Sequence, residues 1–282
     1  MPELPEVETI KRGLERDIVG QKIIEVEVRA PKLFIGESAK LINEPIEKVW
    51  RRAKVLIIQT KRFSALIHLK MTGQLIYKGK EIVIGGHPDK LYLQPLPHNH
   101  THIIFKLSGG TLYFNDLRKF GWVKVFNKTD DIDELIHAVG PEFDSPTFTL
   151  KYFSEKLAKK KAITIKQLLL DQSIVAGIGN IYADEILFAS KIHPLTKVKD
   201  LTKSQIKKIF DNIPKILNLA INSGGSSSQT YRQIDGKMGT YLEIAKVYKR
   251  EKLPCKICKT PIKRIKIAGR SSHFCPYCQK SS

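Results

Sequence analysis

Four cysteines, Cys255, Cys258, Cys275 and Cys278, constrain this chain more than any other feature, because all four fall within its last 28 residues. They form two C-x2-C knuckles separated by sixteen residues. Each knuckle can bring two thiolates to one ion, and two knuckles complete a tetrahedral set. A redox pair is the competing chemistry, but two equally spaced pairs in a chain without an export signal point to metal. The expectation is one structural Zn2+ held by Cys255, Cys258, Cys275 and Cys278, with Gly269 permitting a tight turn between the knuckles. A closed four-sulfur site leaves no open coordination position, so this metal should build a ribbon and take no part in chemistry.

The same tail, from Ala245, carries eleven Lys/Arg against the single acid Glu251 and supplies about half of the formal net charge of +20. An excess that large favours a polyanionic partner over a merely solvated surface. A membrane surface would be the other polyanion. No uninterrupted apolar run approaches the roughly 18 residues of a spanning helix, so no membrane role is expected. The start, Met1-Pro2-Glu3-Leu4-Pro5-Glu6, has two acids and no apolar segment, which argues against a secretory signal and for a cytoplasmic protein.

Periodicity divides the chain. Residues 4–18 read as a helix, with Pro5 in its first turn and Val7, Ile10 and Leu14 on one face; Glu6 and Glu8 suit its positive end. From about residue 20 to 127 the runs are short and β-branched or alternating: Ile23–Val28, Val55–Thr60, Ala65–Leu69, Gln74–Tyr77, and Ile103–Leu107 with Thr111–Phe114 around Ser108-Gly109-Gly110. This half reads as a β-sandwich or barrel fed by the N-terminal helix. After about residue 135 the pattern is helical, over Ser154–Lys160, Ile165–Asp171 and Ile181–Ala189. Thr202 and Gln205 form a capping box before a long helix to about Asn222, which Pro214 should kink or split. Gly224-Gly225-Ser226-Ser227-Ser228 then opens a flexible stretch to about Tyr241. His98, His100 and His102 alternate and would share a face of a strand; solvated or phosphate-contacting side chains suit them better than a metal site.

The amino terminus has chemistry of its own. A small second residue favours removal of Met1, which would leave Pro2 as a secondary amine at the chain end. An α-amino group titrates near 7.7–8.0, so a useful fraction is unprotonated near neutrality, and such an amine can form a Schiff base with a sugar carbon. Glu3 beside it could be a helix-start acid or a proton donor.

The opening Met1-Pro2-Glu3-Leu4-Pro5-Glu6-Val7-Glu8-Thr9 resembles that of the formamidopyrimidine-DNA glycosylase/endonuclease VIII family, and the resemblance covers nearly the whole chain. It continues through Arg51-Arg52-Ala53-Lys54, His68-Leu69-Lys70-Met71-Thr72-Gly73 and Asp116-Leu117-Arg118-Lys119-Phe120-Gly121. It then extends through Leu168-Leu169-Leu170-Asp171-Gln172, Val175-Ala176-Gly177-Ile178-Gly179-Asn180-Ile181-Tyr182 and Gly269-Arg270. The Leu4-Pro5-Glu6-Val7-Glu8 form and the set Met71, Arg118, Phe120 resemble the formamidopyrimidine branch more than endonuclease VIII.

The resemblance implies an α+β multidomain protein: an N-terminal helix plus β-sandwich as catalytic domain (1–135), a helix–two-turn–helix DNA-binding domain (136–225), a lesion-capping loop and linker (226–244) and a C-terminal zinc ribbon (245–282). It implies Pro2 as nucleophile at C1′, Glu3 as proton shuttle, Lys54 as proton donor in β-elimination, and Arg270 as a phosphate clamp that assists δ-elimination. Asn180, His100 and Lys161, the last within Lys159-Lys160-Lys161, match backbone contacts, while Met71, Arg118 and Phe120 match residues that enter the duplex when a base is flipped out. The implied activity is base excision repair of oxidised purines (8-oxoguanine, formamidopyrimidines) in damaged double-stranded DNA. It is expected of a monomeric, bacterial, nucleoid-associated protein. Endonuclease VIII-like action on oxidised pyrimidines and non-catalytic zinc-ribbon DNA binding are the rivals. The chain departs from the family at Ile163-Thr164-Ile165-Lys166, at Met238, and at Lys249, where a glycine normally follows Val247-Tyr248.

Overall fold

Leu4–Ile18 forms α1 because its apolar residues recur on one stripe: Val7, Ile10, Leu14 and Ile18 are all buried, and the polar residues between them are not needed inside. Pro5 lies in the first turn, where its missing N–H breaks no helical bond. The computed structural model describes residues 1–80, 82–86, 94–135, 139–226 and 239–280. Most of the expected flexible stretch before Tyr241, Met238 included, lies outside the described residues. The described chain forms two compact units, Met1–Leu135 with Ser223–Thr240, and Ile136–Asn222 with Tyr241–Ser282.

The first unit is a β-sandwich. Its strands are β1 (Ile23–Val28), β2 (Phe34–Ile35), β3 (Ile46–Arg52), β4 (Val55–Thr60), β5 (Phe63–His68), β6 (Gly73–Lys78), β7 (Ile82–Gly86), β8 (Thr101–Leu107), β9 (Gly110–Asp116) and β10 (Trp122–Asn127). One sheet has the order β1-β8-β9-β6-β7, the other β2-β10-β5-β4-β3, and α1 packs on β3, β4 and β7. Pairing is antiparallel except between β10 and β2. Alternation places Leu56 and Ile58 of β4, Ile103 and Phe105 of β8, and Leu112 and Phe114 of β9 in one core with the α1 stripe. The hairpin expected at Ser108-Gly109 is present, with Leu107 paired to Gly110. A four-residue helix, α2 (Ile132–Leu135), follows the sandwich.

The second unit is built on α3 (Leu150–Lys159), α4 (Ile165–Leu170), α5 (Asn180–Ser190), α6 (Lys203–Asn222), the short α7 (Tyr241–Ile244), and a hairpin of β11 (Lys263–Ile267) with β12 (Arg270–Phe274). Helix α3 starts one turn earlier than its periodicity suggests, because Thr149 caps it by accepting from the Tyr152 N–H. Thr202 and Gln205 form the expected capping box, each bonded to the backbone N–H of the other. Pro214 does not split α6, which runs uninterrupted from Lys203 to Asn222. An internal proline costs about 3 kcal/mol, and the buried stripe Ile209, Ile213, Leu217 and Ala220 offsets it where α6 packs on α5. Helix α5 is buried on nearly every side from Tyr182 to Phe188, and it includes two consecutive buried acids, Asp184 and Glu185. Among the described residues, no helix is long and apolar enough to cross a membrane.

Candidate functional site

The expected nucleophile sits in an unusual place for a chain start. Pro2 is buried, and Glu3, which caps α1, is 3% exposed. The Glu3 N–H donates to Glu6 Oε2 at 2.8 Å, one arm of a capping box. The other oxygen, Glu6 Oε1, accepts from the Ser226 N–H at 2.7 Å, so one buried carboxylate holds both the chain start and residue 226. Two residues further on, Glu8 accepts from Arg51 Nε at 2.8 Å. That bond ties α1 to the β3–β4 hairpin, whose two-residue turn is Ala53-Lys54. Ala53 adopts φ 52°, a left-handed conformation that two-residue hairpin turns require. Lys54 is 7% exposed, so it is not the solvated strand-end cation that its position in a turn would suggest.

Asp116 organises the next cluster. This carboxylate is fully buried; its Oδ1 accepts from the Thr72 hydroxyl and the Arg118 N–H, and its Oδ2 from the Phe120 and Gly121 N–H groups at 2.8 and 2.7 Å. Met71 belongs to the same construction, since Thr72 follows it and its turn closes with a Gly73 N–H bond to the Leu69 carbonyl. A Cβ on Gly73 would lie 2.3 Å from that carbonyl oxygen, so the turn accepts only glycine. The outcome is two apolar side chains held outward, Met71 at 42% and Phe120 at 51% exposure, with the Arg118 guanidinium stacked 4.5 Å from the Phe120 ring centre. All three expected intercalating residues therefore stand on one rigid, Asp116-centred support.

The histidines divide. His98 and His100 precede β8, so only His102 lies on the strand, and the three do not share a strand face. His102 is buried rather than solvated, its Nε2 2.8 Å from the Asp116 carbonyl oxygen. His100 is half-buried, its N–H donating to His98 Nδ1 at 3.1 Å. His68, which sequence reasoning left without a role, accepts the Lys70 N–H on Nδ1 at 2.9 Å, so its proton sits on Nε2. Burial and the nearby charges of Lys70 and Lys54 lower it to about 3, which keeps it a neutral N–H donor.

In the second unit, Asn180 is the first residue of α5, after a turn shaped by Gln172. Gln172 Nε2 donates to the Ile178 carbonyl and its Oε1 accepts from the Gly177 N–H. Asn180 Nδ2 donates to the Ser271 carbonyl at 2.8 Å, one residue from Arg270. Arg270 is exposed and opens β12 directly after Ala268-Gly269, whose φ values of 46° and 80° fit a primed hairpin turn. Of the three consecutive lysines, Lys160 pairs with Asp171, while Lys159 and Lys161 are exposed. The sequence held a signal for Asp116, whose side chain can bond backbone N–H groups just after it, and for Glu6 as a helix-start acid, but none for the Glu6–Ser226 bond or for Asp184.

Cys255, Cys258, Cys275 and Cys278 bring their sulfurs within 4.8 Å of one another, and they form no disulfide. The separations of 4.0, 3.4 and 3.5 Å bracket the spacing of about 3.8 Å that sulfurs 2.3 Å from a tetrahedral zinc would have. Burial pushes the Cys275 and Cys278 thiols up, a tension that a divalent cation relieves. The donor set fits one structural zinc.

Comparisons with known proteins agree with this geometry. Residues 1–123 match the family model for the formamidopyrimidine-DNA glycosylase N-terminal domain, 139–232 that for its H2TH domain, and 252–280 that for the zinc finger found in FPG and IleRS. A formamidopyrimidine-DNA glycosylase of Streptococcus mutans is 42% identical, over 99% of this chain and 100% of that one; its counterpart in Listeria innocua is 40% identical over the same shares. The structure of Lactococcus lactis Fpg in complex with DNA containing an abasic site has a TM-score of 0.87 at 36% identity, covering 99% of this chain and 100% of that one. MutM in complex with DNA containing carbocyclic 8-oxo-G has a TM-score of 0.86 at 37% identity, with the same coverage. The chain belongs to the formamidopyrimidine-DNA glycosylase family.

Proposed function

We propose that this DNA glycosylase of base excision repair removes oxidised purines from duplex DNA and then cuts the strand. Once Met1 is removed, the Pro2 nitrogen attacks C1′ of the damaged nucleotide as the base departs with a proton. Opening of the sugar ring then gives a Schiff base. Glu3 supplies and takes protons at the base and ring oxygen. β-Elimination removes a C2′ proton and breaks the C3′–O bond with Lys54 as proton donor to the departing phosphate, and δ-elimination removes the C4′ proton and breaks the C5′–O bond with Arg270 on the phosphate. Water finally releases the sugar remnant from Pro2. The product is a one-nucleotide gap with phosphate at both ends. Met71, Arg118 and Phe120 fill the vacated stack, which offsets part of the few kcal/mol needed to flip a base.

The observation that supports this reading is the buried chain start. Termini usually fray in solvent, whereas Pro2 and Glu3 are buried and fixed by Glu6. A nucleophile needs that fixation; a start with no chemistry does not.

Borohydride trapping on a duplex with 8-oxoguanine opposite cytosine tests it. The protein lacking Met1 should cross-link covalently, and Pro2→Gly should do so much more slowly. Full-rate cleavage by protein retaining Met1 would sink the nucleophile assignment. Single-turnover cleavage of 8-oxoG·C, 8-oxoG·A, thymine glycol and abasic duplexes tests the lesion class. Arg118 offers donors that suit the cytosine O2 and N3 acceptors, so C opposite the lesion should be preferred to A, less so in Arg118→Ala. Much faster cutting of thymine glycol would favour oxidised pyrimidines instead.

A further inference from the structure

Beneath Asn180 and Arg270 lies a buried polar network that the proposed chemistry does not use. The Lys166 and Asp184 side chains are 1% and 0% exposed, with Nζ 2.6 Å from Oδ1. Asp184 Oδ1 also accepts from the Ser272 hydroxyl at 2.6 Å, and Oδ2 from the His273 N–H at 2.9 Å. Lys166 Nζ donates in addition to the Asn180 carbonyl at 2.9 Å. Burying two charges is expensive, and well-packed apolar residues often serve stability as well, so stability alone does not account for this pair.

Its geometry supplies another account. Asn180 and Asp184 are four residues apart on α5 and therefore share a face. Asn180 bonds Ser271, and Asp184 bonds Ser272 and His273. Three consecutive residues of β12, directly after Arg270, are thus fastened to one face of α5. A slip of one residue would turn Ser272 away from Asp184, so the network fixes the register as well as the contact. We propose that Asp184 is a positioning residue: it locks β12 to α5 and so sets the separation at which Asn180 and Arg270 meet two phosphates of the DNA backbone. This rests on the reading of those two residues as phosphate contacts.

The experiment uses full-length, zinc-loaded protein and a duplex carrying a tetrahydrofuran abasic analogue, with affinity measured across a salt series. Each phosphate neutralised by a cation contributes about 0.9 to the slope of log affinity against log salt, so Arg270→Ala should make it shallower by about one, while Asn180→Ala removes an uncharged contact and should weaken binding at an unchanged slope. Asp184→Asn places an amide N–H2 against donors. It should keep its zinc, bind about tenfold more weakly, and lose about one from the slope, as expected when the Arg270 contact is misplaced together with that of Asn180. At saturating DNA its rate of base excision should fall far less than its affinity. The charge-free double variant Lys166→Met/Asp184→Leu should regain thermal stability without regaining affinity.

Wild-type affinity and slope in Asp184→Asn would overturn the proposal, as would recovery of affinity together with stability in the double variant. An unchanged slope in Arg270→Ala together with unchanged affinity in Asn180→Ala would instead remove the phosphate reading beneath it. If Asp184→Asn loses zinc, Ser272→Ala decides, because it deletes one donor and no charge. Weaker binding with a shallower slope supports the proposal, and unchanged binding overturns it.

Discussion

In the N-terminal unit, Lys54, Met71 and Arg118 sit on turns between strands whose inward faces share one apolar cluster running from Val7 to Val125. In the ribbon, Arg270 sits on a two-stranded hairpin whose apolar support is Phe188, Val247 and Ile262 around the cysteines. The sandwich holds left-handed conformations at Ala53, Lys70 and Lys119 with a large apolar core behind the hydrogen bonds of His68 and Asp116. A two-stranded hairpin has too small a core to do the same. It relies on four sulfurs for one ion, and on the carboxylates of Asp184 and Glu185, the latter accepting N–H bonds from Lys246, Val247 and Tyr248. Burial pushes the Glu185 carboxyl up, so these three donors work against its surroundings. Directional bonds thus hold functional residues in both units, backed by a large apolar core in the sandwich and by a metal in the ribbon; the second arrangement is the more vulnerable to single changes.

The largest effect should come from the metal. Chelation, or Cys275→Ser, should unfold the ribbon and abolish DNA binding while the far-ultraviolet signal of the sandwich persists, since structural zinc contributes about 10–16 kcal/mol in isolated fingers. Undiminished DNA affinity in metal-free protein would break the comparison. The converse change is Leu14→Ala, at a fully buried position in the sandwich. It should destabilise the protein by about 2–5 kcal/mol in denaturant unfolding and leave zinc content at one per chain. Zinc loss in that variant would show that the two supports are not separate.

A further effect is read in the pH dependence of stability. His68 is held at about 3, whereas in the unfolded chain it protonates at its ordinary 6.5. Below 6.5 the unfolded state takes up a proton that the folded state refuses, so stability should fall as pH drops from 6.5 toward 3, by at most about 1.4 kcal/mol per unit. His68→Gln should weaken that dependence, to which the lowered His98, His102 and His193 also contribute, and an unchanged pH profile of stability would count against the neutral ring. The smallest expected effect is a gain. Lys249 adopts φ 56° where the family resemblance leads to glycine. Lys249→Gly should stabilise the second unit by about 0.5–1 kcal/mol, read as a rise in its Tm. A fall would mean that the lysine side chain contributes something the strained backbone conceals.

The sequence by itself determined the elements and the chemistry-bearing types. Alternation placed β1 and β4 at their observed ends, the apolar stripe placed α1, and the knuckle spacing assembled the four sulfurs. These are local patterns with a fixed period or reach, so neighbours along the chain carry them. Only the tertiary structure decided that α6 continues through Pro214, that Lys54 is buried while Met71 and Phe120 are exposed, and that His102 turns inward. It alone gave Glu6 its bond to Ser226 and Asp184 its role, because each is an ordinary acid in its own segment and acquires that meaning from donors that folding brings to it. A buried carboxylate is stable only where donors converge, and which donors converge is a property of packing between distant segments.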